Sequence, residues 1–383
     1  MRFLLFLFFF AGVGIAVAEE GEPRIPQPRI DERVELLGIV FRLAGAQEYQ
    51  VALFKEYDDA INEHFSPLKK HPVVGSASLL RRMRGIGYNA IVDCGIHISL
   101  ENGHVVCPDA DSEKTLEKID FRWKPEMVRV FAKQLDDFYV KSRFHEFFAS
   151  NREMYRKMEE KIEAINDKID YSWFKSFYGD ADLEHFHVIL NCTSENSGYG
   201  AVCRFKDGHD EYFAILGVNG PDVSYSEDGF IAFTIHEFNH SFCNPLVKKH
   251  LDALKPAAER VFPFVSDMMV RQHYGAPEYM LNEYLVRACE IRYFLTHDKK
   301  DMADKMIPVY RSLGFLWIAE LVERLGRYEQ ERDKYPTLDD FMPEIVRMQN
   351  TLVTDEYIAA IREQKEKQEV KDLPKRAGDE GTP

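Results

Sequence analysis

Hydrophobic and polar positions alternate with different periods along this chain, and the period divides it into segments. An apolar run from Phe3 to Val17 comes first, followed by the charged, Pro-rich stretch "EEGEPRIPQPRIDER", which reads as extended. From about Val34 to Tyr178 the spacing is helical. In "MVRVFAKQLDDFYV", Val128, Phe131, Leu135 and Phe138 recur every three or four residues on one face, and Pro125 suits a first helical turn. "REMYRKMEEKIEAINDKI" predicts a second helix, of mixed charge. The texture changes near Gly179. "FHVILNC", "YGAVCRF" and "EYFAILGV" are short β-branched and aromatic runs separated by Asn, Ser, Gly and Asp, the pattern of an antiparallel meander. Ser226 or Asp228 then caps a helix over Phe230 to Phe242, which Asn244-Pro245 is expected to stop. Helical spacing resumes from Leu246, broken at "YGAPEY", "RSLGF" and "DKYPTLDDF". The predicted fold class is therefore α+β and mostly helical, with a small antiparallel sheet.

The segments expected are a signal peptide over 1–18, a linker over 19–32 and a helical N-terminal lobe over 33–178. A β-meander with its helix (179–245), a helical C-terminal lobe (246–363) and a disordered tail (364–383) follow. The apolar run is short for a membrane span, which needs about 20 residues. It follows a lone Arg2 and ends in Ala16-Val17-Ala18, so cleavage after Ala18 and an exported mature chain (secreted or periplasmic) are expected. No stable membrane span remains after cleavage.

Composition narrows the partners. The 383 residues carry a net charge of -15, which repels phosphate backbones and argues against nucleic acid. Export also changes how six cysteines read: in an oxidising compartment an even number suggests disulfides. Order along the chain suggests Cys94–Cys107, Cys192–Cys203 and Cys243–Cys289, against buried free thiols as the competing reading.

The chemistry concentrates in "TIHEFNHSF", Thr234 to Phe242. On a helix, positions i and i+4 put His236 and His240 on one face about 6 Å apart along the axis. That spacing lets two imidazoles share one tetrahedral Zn²⁺. Glu237, next to the first ligand, is placed as a general base. Phe233, Ile235, Phe238 and Phe242 make the helix apolar. Without a metal, two buried histidines and a glutamate would need other partners, because burying unsatisfied polar groups is costly. A third histidine ligand further along is excluded, since Cys243 and Leu246 stand where that longer motif needs Gly and His.

A carboxylate from a later helix is the remaining common solution. In "PEYMLNEYLVRACEIRYF", Glu283 and Glu290 lie two turns apart on one face, roughly 10 Å from each other, so one metal cannot take both. Arg287 and Arg292 offer Glu290 ion-pair partners. Glu283 is the preferred third ligand and Glu290 the alternative. A Cys243–Cys289 bond would tie the two helices together. For a donor to a tetrahedral oxyanion, Tyr293, His273 and Tyr284 are candidates. A strand such as "FHVILNC" is either interior or free to pair with an extended substrate.

These stretches, with "RVELLGIVFRLAGAQEY", "NEYLVRACEIRY" and "GFLWIAELVERLGRYEQERDKYPTLDDFMPEIV", resemble an exported bacterial family catalogued as domain of unknown function 4932, over about Arg33 to Glu363. That family looks like a branch of the gluzincin metallopeptidases. Asn282-Glu283 resembles the Asn-Glu step of thermolysin-like enzymes, although Val286-Arg287 replaces the Ser-Asp that follows there. The resemblance implies a zincin fold, Zn²⁺ on His236, His240 and Glu283, Glu237 as base, and a peptide or protein substrate. The expected activity is zinc-dependent peptide hydrolysis. A zinc-stabilised scaffold without catalysis, and a zinc hydrolase of a non-peptide amide or ester, are the alternatives.

Overall fold

The computed structural model describes residues 27–372 apart from 51–53, 180–182, 195–197, 219 and 221–225; the expected signal peptide and the end of the tail lie outside the described residues. The N-terminal half contains β1 (Arg29–Ile30), α1 (Glu32–Leu43), α2 (Lys55–Phe65), α3 (Pro72–Arg84) and α4 (Asn89–His97). A hairpin of β2 (Ser99–Glu101) and β3 (His104–Val106) follows. Four helices complete this half: α5 (Pro125–Lys141), α6 (Phe144–Ser150), α7 (Arg152–Asn166) and α8 (Ser172–Tyr178). Then come β4 (Phe186–Asn191), β5 (Gly198–Arg204), β6 (Asp210–Gly217) and the long α9 (Glu227–Lys249). The C-terminal helices are α10 (Leu251–Arg271), α11 (Pro277–Thr296), α12 (Lys300–Ser312), α13 (Ile318–Gln330), α14 (Leu338–Leu352) and α15 (Asp355–Asp372). The chain is thus mostly helical α+β, as its periodicity predicts. No described helix is long and apolar enough to cross a membrane.

The sheet differs from the expected meander. Its order is β1-β4-β6-β5. β4 pairs parallel with both β1 and β6, and only β5 runs antiparallel, to β6. The sheet is therefore mixed, and β6 is inserted between β4 and β5. The extended lead-in ends in β1, which covers the outer edge of β4. "FHVILNC" is consequently interior in the strand order, with β1 and β5 at the two edges. Parallel pairing buries β4 and β6 on both faces, which explains their near-continuous apolar runs.

α9 packs across one face of this sheet. Phe186 of β4 meets Phe238 edge-on at 4.9 Å and stacks with Phe242 at 5.7 Å. Ser226 caps the helix, accepting from the Gly229 N–H. The helix does not stop at Asn244-Pro245 but runs on to Lys249. Proline removes only its own donor to the Ser241 carbonyl, and buried Val247 holds the following turn against the core. α15 likewise extends to Asp372, so residues 364–372 of the expected tail are helical.

One buried acid anchors α1 to the sheet. Glu35 accepts from the Cys192 N–H at 2.6 Å and from Tyr57 Oη at 2.8 Å, and Tyr57 is in turn bonded to Tyr155. Burial pushes its carboxyl up to about 7 despite these hydrogen bonds. The native state therefore holds the proton more tightly than the unfolded chain. This group's contribution is fully present below pH ~4.5 and is lost as pH rises through 7. A shift of this size corresponds to about 3 kcal/mol. Glu35→Gln keeps the shape without the charge. Urea unfolding at pH 5 and pH 8 should show the variant gaining about 3 kcal/mol relative to wild type at the higher pH.

Candidate metal centre

α9 and α11 cross with their small and polar residues in contact. Asn239 Nδ2 donates to the Val286 carbonyl at 3.4 Å, and Tyr178 Oη donates to Asn239 Oδ1 at 2.8 Å. This pinning turns His236 and His240 of α9 toward Glu283 of α11. The Nε2 atoms of His236 and His240 lie 3.6 and 3.4 Å from the Glu283 carboxylate. One ligand atom from each of the three residues falls within 4.8 Å of the others.

The surrounding groups fix the direction of each ligand. His236 Nδ1 is 3.1 Å from Glu290 Oε2, and His240 Nδ1 is 3.2 Å from Asn244 Oδ1. An acceptor at each Nδ1 selects the tautomer with the proton there, leaving the Nε2 lone pair free for a metal. Burial holds the His236 imidazole neutral, its pKa well below the ordinary value. The Glu283 side chain is only 7% exposed. Its burial opposes ionisation, but the Arg287 guanidinium beside it holds its carboxyl below the usual range. Glu283 Oε2 is buried without an aligned hydrogen-bond donor, although Arg287 Nη2 stands 3.0 Å away.

These observations fit a divalent cation. Two lone-pair nitrogens and a carboxylate facing one another repel unless a cation lies between them. Glu237, Glu283 and Glu290 set three carboxylates against the single guanidinium of Arg287, an excess of two negative charges when all are ionised. In the protein alone, burial pushes Glu237 and Glu290 up to about 7, which is how a buried site relieves uncompensated charge. Two His nitrogens and one Glu oxygen are a donor set suited to zinc-like ions, with a fourth position left open.

Whereas Glu283 faces the Nε2 of His236, Glu290 stands on the Nδ1 side of that ring. It accepts from Tyr310 Oη at 2.9 Å as well as meeting His236. The arginine pairing expected for it is replaced: Arg292 pairs with Glu329, and Arg287 turns to Glu283 over the rings of Tyr310 and Phe315. Glu237 projects from α9 toward β5. A Cβ on Gly198 would stand 3.1 Å from Glu237 Oε1, and one on Gly200 3.0 Å from Oε2. Two glycines at this strand therefore let the carboxylate approach the backbone.

The oxyanion candidates fall elsewhere. Tyr293 Oη accepts from the Asp170 N–H at 2.9 Å, with its ring on Trp173 and His297. Tyr284 stacks on Trp317, its hydroxyl bonded to the Gly314 carbonyl. His273, at φ 70°, meets the Tyr88 ring at 5.2 Å. A phenol that adjoins Glu283 is the next residue, Tyr274. Its hydroxyl is 3.3 Å from Arg287 Nη2 and interacts with Glu283. Sequence reasoning missed Tyr274, Tyr310 and Asn244. Asn244, four residues after His240, had a helical-spacing signal that the adjacent proline obscured.

All six cysteines are free thiols. Cys192 lies against Met158 Sδ at 3.6 Å and Cys203 against the Arg204 carbonyl, so the Cys192–Cys203 pairing is not formed. Cys94 and Cys107 also stand unbonded. Cys243 and Cys289 do meet, with sulfurs 3.9 Å apart.

Fold and site together define a mostly helical α+β protein with a buried His-His-Glu group able to hold a metal ion. A family model described as "Domain of unknown function (DUF4932)" matches residues 28–348, and the chain belongs to that family. No curated protein and no solved structure matches it.

Proposed function

We propose that this is an exported zinc-dependent peptidase. The observation that carries the reading is the pair of imidazoles whose Nδ1 atoms are both occupied and whose Nε2 atoms both face Glu283, with Glu237 beside them. His236, His240 and Glu283 would hold Zn²⁺. When bound, the ion supplies Lewis acidity toward the scissile carbonyl and makes water a stronger acid at neutral pH. Glu237 takes a proton from the attacking water and delivers it to the leaving amine. Tyr274, beside Glu283, is the phenol nearest in the contact network to donate to developing oxyanion charge. Phe233 and the backbone of β5 form the adjoining wall. Among the described residues no strand pairs with the outer side of β5 over Gly198–Cys203, so an extended peptide can add there by main-chain hydrogen bonding. The acidic chain leaves nucleic acid an unsuitable partner.

The test uses purified full chain and denatured casein. Activity should disappear with a chelator and return with added Zn²⁺, and Tyr274→Phe should slow turnover while keeping the metal. Metal binding without hydrolysis across varied peptides, amides and esters would replace the reading by a zinc-stabilised scaffold. In an oxidising compartment, we further take Cys243 and Cys289 as the pair that joins α9 to α11. Non-reducing peptide mapping of exported protein should recover them cross-linked, and recovery of both as alkylated thiols would count against it.

A further inference from the structure

A second cluster of metal-ligating side chains lies on the other face of the sheet. His185 immediately precedes β4, and His209 and Glu211 stand at the start of β6. The parallel register pairs Phe186 with Tyr212 and His187 with Phe213, and Tyr212 N donates to the His185 carbonyl at 2.8 Å. His185 is therefore set beside Glu211. Because alternate strand residues share a face, His185, His187 and Glu211 point away from Phe186, which faces α9. One ligand atom from each of His185, His209 and Glu211 lies within 4.8 Å of the others. His187 Nε2 stands 3.5 Å from Glu211 Oε2 and is buried without a hydrogen-bond partner.

The cluster is separate from the centre on α9. Glu237 approaches Gly200, which pairs with Ala214, whereas Glu211, three residues earlier in β6, pairs with Cys203. That separation is about 10 Å along the strand, with the sheet itself between the two sets of side chains. Asp207 Oδ1, 2.5 Å from His209 Nδ1, fixes that ring so that Nε2 is the available donor. The rings of His185 and His209 stack at 4.6 Å, and His187 stacks on Phe213 at 4.8 Å. Lys114, whose charge also acts on Glu211, donates its Nζ to the Ile96 carbonyl instead of bonding the carboxylate.

We propose that His185, His209 and Glu211 form a second site for a zinc-class divalent cation, and that its role is structural. Imidazole-rich sites with one carboxylate favour Zn²⁺, Cu²⁺ or Ni²⁺ over Mg²⁺ or Ca²⁺. His187 Nε2, 3.5 Å from Glu211 Oε2, is a contact of that carboxylate outside the three-residue group. The ion would tie the chain entering β4 to the β5–β6 turn at Phe205–His209, which is otherwise held by its own backbone hydrogen bonds and by a bridge to the Glu113–Thr115 segment. This inference does not rest on the peptidase reading.

The probe is Zn²⁺ alone, added to metal-free full chain and followed by dialysis and elemental analysis. Wild type should retain about two zinc ions per chain. His185→Ala/His209→Ala should retain about one and lose part of the zinc-dependent rise in Tm. His236→Ala/His240→Ala should also retain about one, with the Tm response of the second site intact. Glu211→Gln, which preserves volume, stands in where the double variant does not fold, as judged by circular dichroism. Wild type binding about one ion with none left in His236→Ala/His240→Ala would overturn the proposal. So would an unchanged zinc content in His185→Ala/His209→Ala.

Discussion

Glu237→Gln should leave zinc content and the unfolding curve close to wild type while lowering kcat/KM on a peptide substrate by about 10²- to 10⁴-fold. The amide keeps the shape of the side chain against Gly198 and Gly200 but cannot take a proton. Burial that raises the carboxyl to about 7 in the metal-free protein also means that losing the charge relieves desolvation. The folded state should not be weakened, and a small gain in stability above pH 7 is expected. Stopped or steady-state peptide cleavage with parallel zinc analysis checks this. Equal activity of variant and wild type would remove Glu237 from the chemistry and, with it, the peptidase mechanism drawn here.

Glu283→Ala carries the largest combined effect. It removes one of the three donors, so zinc retained after dialysis should fall at the α9–α11 centre by more than the 10- to 100-fold seen when only a supporting partner is lost. It also strands Arg287, which is buried between Tyr310 and Phe315. Breaking one side of a buried ion pair typically costs about 3–5 kcal/mol. Urea unfolding of the metal-free protein isolates that second effect from metal release. Glu283→Gln provides the folded comparison, because its amide oxygen can still face the guanidinium. Undiminished zinc in both variants, together with loss in Glu290→Gln, would transfer the third ligand to Glu290.

The geometry also sets Glu283 and Glu290 apart although they share a helix face. Glu283 lies opposite the Nε2 atoms of both histidines, while Glu290, two turns on, reaches the Nδ1 of His236. One carboxylate faces the Nε2 side of the imidazole and the other its Nδ1 side. Arg287 sits between them in sequence and neutralises the first.

Some of this was written in local sequence alone. Helical spacing, the Ser226 cap and the four-residue separation of His236 and His240 depend on contacts within a turn or two, so a residue string is enough to read them. The same holds for placing both candidate carboxylates on one face of α11. What local spacing could not decide is anything set by contacts between distant segments. The insertion of β6 between β4 and β5, the continuation of α9 past Pro245 and which of Glu283 and Glu290 faces the two Nε2 atoms all follow from packing across the core. So do the approach of Glu237 to two glycines, the arrival of Tyr274 and Tyr310 at the centre, and the gathering of His185, His209 and Glu211 by a parallel strand register. Periodicity tells each element which side is inward; only tertiary structure decides what it meets there.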